Sequence, residues 1–244
     1  MIEIRALTEV REFERCVELQ RIIWGFSDVE LLPVRLFIVV SKIGGQVFGA
    51  FDGPAMVAFC VSTPGVKAGG EVFLHSNMLG VLAEHRDTGV GRRLKLAQRD
   101  DALARGIGLI EWTFDPLEVK NAFFNMERLG AVVRRYVLNQ YGISGSHLHA
   151  GLPTDRCIAE WYVGSDRVRT TLERVPVERP AVEARIVVPA AVADWKKSDP
   201  RRAREAQAEV SRQFLEHFRS GLAVTGFEKT DEAGTYLLGR WESK

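Results

Sequence analysis

Three features of the sequence predict an α/β (α+β) protein. Short β-rich runs alternate along the chain with segments of helical period. Two of those runs, QVFGAFD and MVAFCVST, are separated by Gly53-Pro54, which is hairpin spacing. A strand-like run ending at Leu82 then passes through a polar elbow with two glycines into a helical pattern from Gly91, with Leu94 and Ala97 on one side.

The elements follow in order. Ile2, Ile4 and Ala6 alternate with charged residues, which predicts a first strand. Thr8 is placed to cap a helix from Glu9 to Ile23, with Val10, Phe13, Val17 and Leu19 at roughly helical spacing. Pro33 opens a second helix that runs to Ile43 and stops at Gly44-Gly45. After the hairpin, 71–82 reads as a longer strand, followed by the helix after Gly89 and the strand GLIEWTFD. A helix is expected over 117–129, ended by Gly130, then strands at 132–138 and 157–163. Residues 166–183, charged and with two prolines, read as a linker or surface arm. ARIVVP, a helix capped by Asp199-Pro200, and the strands LAVTGFE and TYLLGRW then form a βαββ extension. The helix in it repeats Ala203, Ala206, Val210, Phe214 and Phe218 on one face until Gly221. That face must bury against the core or a second subunit, so a homodimer is one expectation. The expected domains are therefore 1–165, the arm, and 184–244.

The chain has 244 residues, 46% of them hydrophobic, enough for one large domain or a domain with an appendage. A net charge of +1 gives no global attraction for nucleic acid, and the run KKSDPRRAR reads as a solvated face. Cys16, Cys60 and Cys157 are odd in number, and no metal spacing links them. Reduced thiols and no metal site are expected. MIEIRAL lacks the basic and apolar regions of a signal peptide, and no apolar run nears the ~20 residues of a membrane span. A cytoplasmic protein without a membrane partner is the expectation.

Why put Arg86, Gly89 and Gly91 where a strand becomes a helix? A helix start presents unpaired N–H groups and the positive end of its dipole, and so favours an anion. Glycines let the backbone approach a phosphate closely, and Arg86 and Arg92-Arg93 add fixed positive charge. The absence of Gly-Lys-Ser/Thr excludes a P-loop, and GVGRRL lacks the third glycine of the dinucleotide fingerprint. The pattern that fits is R-x-x-G-x-G, written Arg86-Asp87-Thr88-Gly89-Val90-Gly91.

Taken with the preceding strand, the strand at 109–114 and the helix NAFFNMERLGA, this order resembles the GNAT N-acetyltransferase superfamily. The resemblance covers roughly 1–165 and is sharpest over 72–131. It implies a mixed, mostly antiparallel sheet flanked by helices, and an acyl-coenzyme A co-substrate, acetyl-CoA by default. Leu79 and Val81 would line the pantetheine. Thr88, Gly89, Val90, Gly91 and Arg92, beside Arg86, would cradle the pyrophosphate. Asn121 and Asn125, one helical turn apart and expected on the same side, would bond the cofactor's amides or the acceptor.

Acyl transfer to an amine needs a base for the ammonium and a proton for the leaving thiolate. In several family members the base lies on the strand before the elbow, six residues before its last valine. Here that position is His75, and alternation would place His75, Asn77, Leu79 and Val81 on one face. An imidazole, with an ordinary pKa of ~6.5, suits the task, and Glu111 is the substitute. The chain departs from the family at the general acid. Met126 stands where many members have tyrosine, which leaves Tyr136, Tyr141 or water. A backbone N–H near Leu79 or Gly80 would meet the oxyanion.

For the acceptor, Trp24, Phe26, Trp112 and Phe114 would form an apolar wall, Asp115 would attract an ammonium, and Arg134 or Arg156 would pair with a carboxylate. The reading is an acyl-CoA-dependent N-acyltransferase, transferring acetyl or succinyl to a small amine such as an amino acid. The alternative is a module of this shape that binds CoA or another anion without turnover.

Overall fold

In the computed structural model, which describes residues 1–142, 151–176 and 179–242, the first alternating run is strand β1 (Ile2–Ala6). The described residues divide into two units, residues 1–111 and a second that begins at residue 112. The first unit also holds helices α1 (Val10–Trp24), α2 (Val34–Lys42) and α3 (Val90–Ala104), and strands β2 (Gln46–Asp52), β3 (Ala55–Val66) and β4 (Val72–Val81). It ends within β5 (Leu109–Phe114). The strand order is β1-β2-β3-β4-β5, antiparallel except for the β4–β5 pair. With the helices that flank it, this is the expected mixed, mostly antiparallel architecture.

Each face of this sheet buries a different helix set. Phe13, Cys16 and Leu19 of α1 and Phe37 and Val40 of α2 pack with Val47, Met56, Phe59 and Val61. On the other face, Val90 and Leu94 of α3 meet Ala50, Ala58, Cys60, Leu79 and Val81. Fully burying an aliphatic or aromatic side chain of this kind contributes ~1.5–3 kcal/mol, so both helix sets are held chiefly by their apolar stripes. At the start of α1 the expected cap moves by one residue. Glu9, not Thr8, is the N-cap, and the Glu12 carboxylate accepts the backbone N–H groups of Thr8 at 2.9 Å and Glu9 at 3.1 Å.

The β3–β4 register jumps from Val61 opposite Met78 to Ser62 opposite Ser76, which leaves Asn77 as an extra residue. Its Oδ1 accepts from the Thr63 N–H and hydroxyl, each at 3.1 Å. This bulge corrects the alternation expected along β4. Ser76 bonds to Lys95 and Gln98 of α3, and Leu79 and Val81 pack on that same side. Met78 packs with α1 and α2, and a Cβ on Gly80 would point at Trp24. His75, adjacent to Ser76, therefore lies on the α1 face rather than with Leu79 and Val81.

The second unit contains α4 (Val119–Phe123), continued by a π-turn at Phe124–Arg128, and strands β6 (Val132–Val137) and β7 (Arg156–Tyr162). Then come α5 (Asp166–Glu173), β8 (Ala184–Pro189), α6 (Val192–Ser198), α7 (Pro200–Arg219), β9 (Leu222–Lys229) and β10 (Ala233–Arg240). The strand order is β7-β6-β9-β10-β8, antiparallel in its pairings. The stretch read as an arm thus opens with a helix, capped by Ser165 accepting from Val168 N–H at 3.3 Å. The boundary expected near 165 falls inside this unit, because β9 pairs with β6 at Val133 and Val224. The βαββ extension gains the short α6. Asp199 caps α7 by accepting from Arg202 N–H at 3.1 Å, and Pro200 occupies its first turn. The α7 stripe buries Ala203, Val210 and Phe214, with Phe214 stacked on Tyr136 at 5.0 Å and edge-on to Tyr236 at 5.0 Å.

Beneath β4, α3 also carries polar groups into the interior. Gln98 Nε2 donates to Ser62 Oγ at 2.6 Å, and Lys95 Nζ donates to Ser76 Oγ at 2.9 Å. Burial pulls the Lys95 ammonium down from 10.5 to about 7. Between those values the unfolded chain binds the proton that the folded chain has released. The burial penalty is therefore complete below about pH 7 and is relieved as pH rises toward 10.5. Lys95→Met is expected to raise Tm by roughly 5 °C or more near pH 6, with the gain shrinking toward pH 10. Thermal denaturation followed by circular dichroism across that range checks this, and a gain that is constant with pH contradicts it.

Candidate functional site

The corner after β4 is set by local bonds. Leu82 N–H donates to Val57 O at 3.0 Å, and a single 3₁₀ turn spans Ala83–His85. Arg86 Nε then donates back to Val81 O at 3.2 Å, and Thr88 Oγ1 to His85 O at 2.7 Å. Asp87 and Gly89 take positive φ, 60° and 88°, and Gly89 is the N-cap of α3. A left-handed residue at that point costs a glycine little and other residues more. Val90 is buried against the sheet and anchors the first turn, while Arg86, Thr88 and Gly89 are exposed and Arg92 is half-buried.

The first N–H groups of α3 have no acceptor within the helix and point along its axis to this corner. Around its two glycines the described residues leave room. A Cβ on Gly89 would meet nothing within 4 Å. On Gly91 it would make only ordinary contacts with Leu79 at 3.5 Å and Val81 at 3.8 Å. Leu79 and Val81 are half-buried and edge the same corner. Sequence reading and structure therefore bring together Leu79, Val81 and residues 86 to 92.

On the α1 face, His75 and Glu111 are direct partners across the parallel β4–β5 ladder, so the expected base and its substitute stand side by side. Glu111 is only 4% exposed and forms an ion pair with Lys67, a residue the sequence reading had not singled out. Trp24 lies over Gly80 so closely that a Cβ there would sit 2.7 Å from its ring. It also stacks on Phe26 at 5.6 Å, so these two of the four expected wall aromatics do meet. The Cys60 thiol, raised by burial to about 12, is no nucleophile at neutral pH.

Several candidates in the second unit have structural roles. Tyr136 is buried, its hydroxyl shared with Ser211 Oγ at 2.8 Å and Asp155 Oδ2 at 3.3 Å, and burial pushes the phenol well above its ordinary value. It is a core group rather than an available acid. Tyr141 is exposed, its hydroxyl 2.8 Å from Thr113 Oγ1. Trp112 is buried edge-on to Trp161, and Phe114 is buried too, so these two belong to the core and not to an open wall. Asp115 is engaged by Lys196 Nζ at 3.0 Å, which also reaches Glu118 at 2.8 Å. Burial works against the Lys196 charge, but the two carboxylates outweigh it and hold the ammonium above its ordinary value. Asp115 therefore already has its cation.

Arg134 and Arg135 both grip the buried Glu160, Arg135 at 3.0 Å. Burial would raise that carboxyl, but its arginine and Tyr162 hydrogen bonds, with the nearby positive charge, bring it below the ordinary value. Arg156 is buried, donates to Asp155 O at 2.9 Å, and lies over the Tyr141 ring.

Asn121 and Asn125 do not share a surface. Asn121 is exposed, while Asn125 is 1% exposed. Asn125 lies on the buried stripe with Ala122, Met126 and Leu129, and beyond it Leu129 N–H bonds to Phe124 O and Ala131 N–H to Asn125 O, so the last turn is wider than an α-helical one. Met126 is buried in that turn.

Elsewhere in this unit a cavity of about 610 Å³ runs along α7, with Arg204, Arg212 and Arg219 among its lining residues. Among the described residues no group of three or more His, Cys, Asp or Glu is placed to hold a metal ion. None of the described helices is long and apolar enough to cross a membrane.

No family model and no curated protein matches the chain in sequence. In structure it is similar to Arabidopsis thaliana NAA60 in complex with acetyl-CoA, with a TM-score of 0.55 at 13% identity over 68% of this chain and 100% of that one. It is similar also to the ribosomal-protein-S18-alanine N-acetyltransferase of Escherichia coli, with a TM-score of 0.52 at 15% identity over 68% and 96% of the two chains. A third likeness is to an N-acetyltransferase from Staphylococcus aureus Mu50, with a TM-score of 0.53 at 15% identity over 68% and 99%. The chain has the GNAT N-acetyltransferase fold.

Since Tyr136 serves packing, Tyr136→Phe should lower stability by about 1–2 kcal/mol, the loss of a buried hydroxyl's bonds to Ser211 and Asp155. Urea denaturation measures it, and an unchanged midpoint would show that those bonds contribute nothing.

Proposed function

We propose that the chain is an acyl-CoA-dependent N-acyltransferase acting on a small amine such as an amino acid, with acetyl as donor group and succinyl as the variant. The observation that carries this is the open, glycine-lined corner at the N-terminus of α3, directly after β4. The fold shared with acetyltransferases supports it, as does the acetyl-CoA bound in the Arabidopsis NAA60 structure. A diphosphate is the anion that such a corner suits, with Arg86 and Arg92 adding charge and the amides of residues 88 to 92 donating. Leu79 and Val81, apolar and half-buried at the end of β4, suit the pantetheine arm.

In this reading the amine attacks the thioester carbonyl directly. A β4 backbone N–H near Leu79 or Gly80 steadies the tetrahedral oxyanion, and the C–S bond then breaks to release CoA thiolate. His75 removes the ammonium proton, with Glu111 as its neighbour on the same face. Since Tyr136 is locked in the core, water returns a proton to the thiolate. Trp24 and Phe26 give the amine an apolar wall. Asp115 and Arg134 are already paired within the protein and are not assigned to the acceptor. The buried Met126 favours the second reading, a CoA-binding module without turnover.

Gly91→Glu tests the cradle. Its Cβ fits without collision beside Leu79 and Val81, so the fold should be kept while a negative charge is brought into the corner. Calorimetry should find CoA binding weakened roughly tenfold or more. Absence of CoA binding by the native chain, or full affinity in the variant, defeats the assignment. Thiol release from acetyl-CoA and succinyl-CoA over a panel of amines separates the enzyme from the binding module.

A further inference from the structure

A run of contacts in the first unit leads from β3 to Glu111, beside His75. Gly65 of β3 lets an aromatic ring lie flat on its backbone, since a Cβ there would fall 2.6 Å from the Phe73 ring. Lys67 Nζ stands 4.3 Å from the centroid of that same ring. The ammonium then pairs with Glu111, whose side chain is 5% exposed against 30% for the lysine. A cation therefore reaches inward from the rim, steadied by a ring face, to hold a carboxylate that has left water. Glu111 is in turn the direct partner of His75 in the β4–β5 ladder, and lateral neighbours in a ladder present their side chains on one face.

Packing alone does not call for this arrangement. A buried carboxylate is costly unless paired, and an apolar residue at 111 would fill the same space more cheaply. Among the described residues, the Glu71 side chain is exposed on the β3–β4 turn and Lys95 lies on the opposite face with Ser76. We propose that Lys67 is a positioning residue for proton transfer at His75, acting through Glu111. Its ammonium fixes the Glu111 carboxylate in one place, and the carboxylate sets the orientation of the neighbouring imidazole. The inference rests on the acyltransferase reading and adds to it a residue from the β3–β4 turn.

The test compares Lys67→Met, Lys67→Arg and the native full chain. Two readouts are used: steady-state kinetics, and the His75 imidazole NMR resonance, assigned through its loss in His75→Ala. Lys67→Met should lower kcat about tenfold or more while KM for acyl-CoA stays within roughly twofold, and Lys67→Arg should restore most of kcat. The His75 resonance should move in the methionine variant and return toward its native position in the arginine one. If Lys67→Met fails to fold, Lys67→Met/Glu111→Gln leaves no buried charge unpaired and should show the same displacement. A resonance unchanged across the set, or native kcat in an active Lys67→Met enzyme, overturns the proposal. Absence of turnover in the native chain overturns the acyltransferase reading itself and takes the positioning role with it. The NMR comparison then still tells whether Lys67 acts on His75.

Discussion

β4 carries one residue more than the β3 backbone it pairs with, and that residue, Asn77, is held in place by Thr63. On one side of the bulge, Ser76 turns to α3; on the other, Leu79 and Val81 do. His75 and Gly80 turn to α1. A strand without the bulge could not present Leu79 and Val81 to the α3 corner while keeping Ser76 bonded to Lys95, because strict alternation would send one set to the wrong face. The separation of the glycine-lined corner on one face from His75 and Glu111 on the other follows from this single inserted residue.

The corner itself is cheap to build. Val90 and Leu94 secure α3 through apolar burial, which frees the residues before them from any packing duty. Gly89 absorbs the change of direction with its left-handed φ, and Gly91 leaves the backbone bare where a methyl would have been tolerated. Exposed amides at a helix start are normally satisfied by a cap or by water. Here the Thr88 hydroxyl is turned back to His85 O, so it caps the 3₁₀ turn instead of the helix.

The second unit follows a different logic. Lys196 joins Asp115 and Glu118, Glu160 joins Arg134 and Arg135, and Asp155 accepts from Ser211 and Tyr136. Each is a buried or half-buried polar group whose partner comes from a distant part of the chain, as burial of charge requires. These pairings remove Asp115, Arg134 and Tyr136 from the roles their residue types suggest.

The sequence by itself determined where most strands and helices lie, since apolar period, prolines and glycines act over a few residues. It also marked the corner at residues 86 to 91, because a strand-to-helix turn needs its glycines locally. It could not reveal the bulge at Asn77, which exists only as a register between two strands. Nor could it show that Asn125 is buried while Asn121 stays exposed, or the partner waiting for Asp115 eighty-one residues away. Lys67 escaped notice for the same reason: a lysine beside a tight turn looks solvated until folding brings Glu111 and Phe73 to it. Tertiary structure decided these points, because charge pairing and ladder register depend on distance in space and not on spacing along the chain.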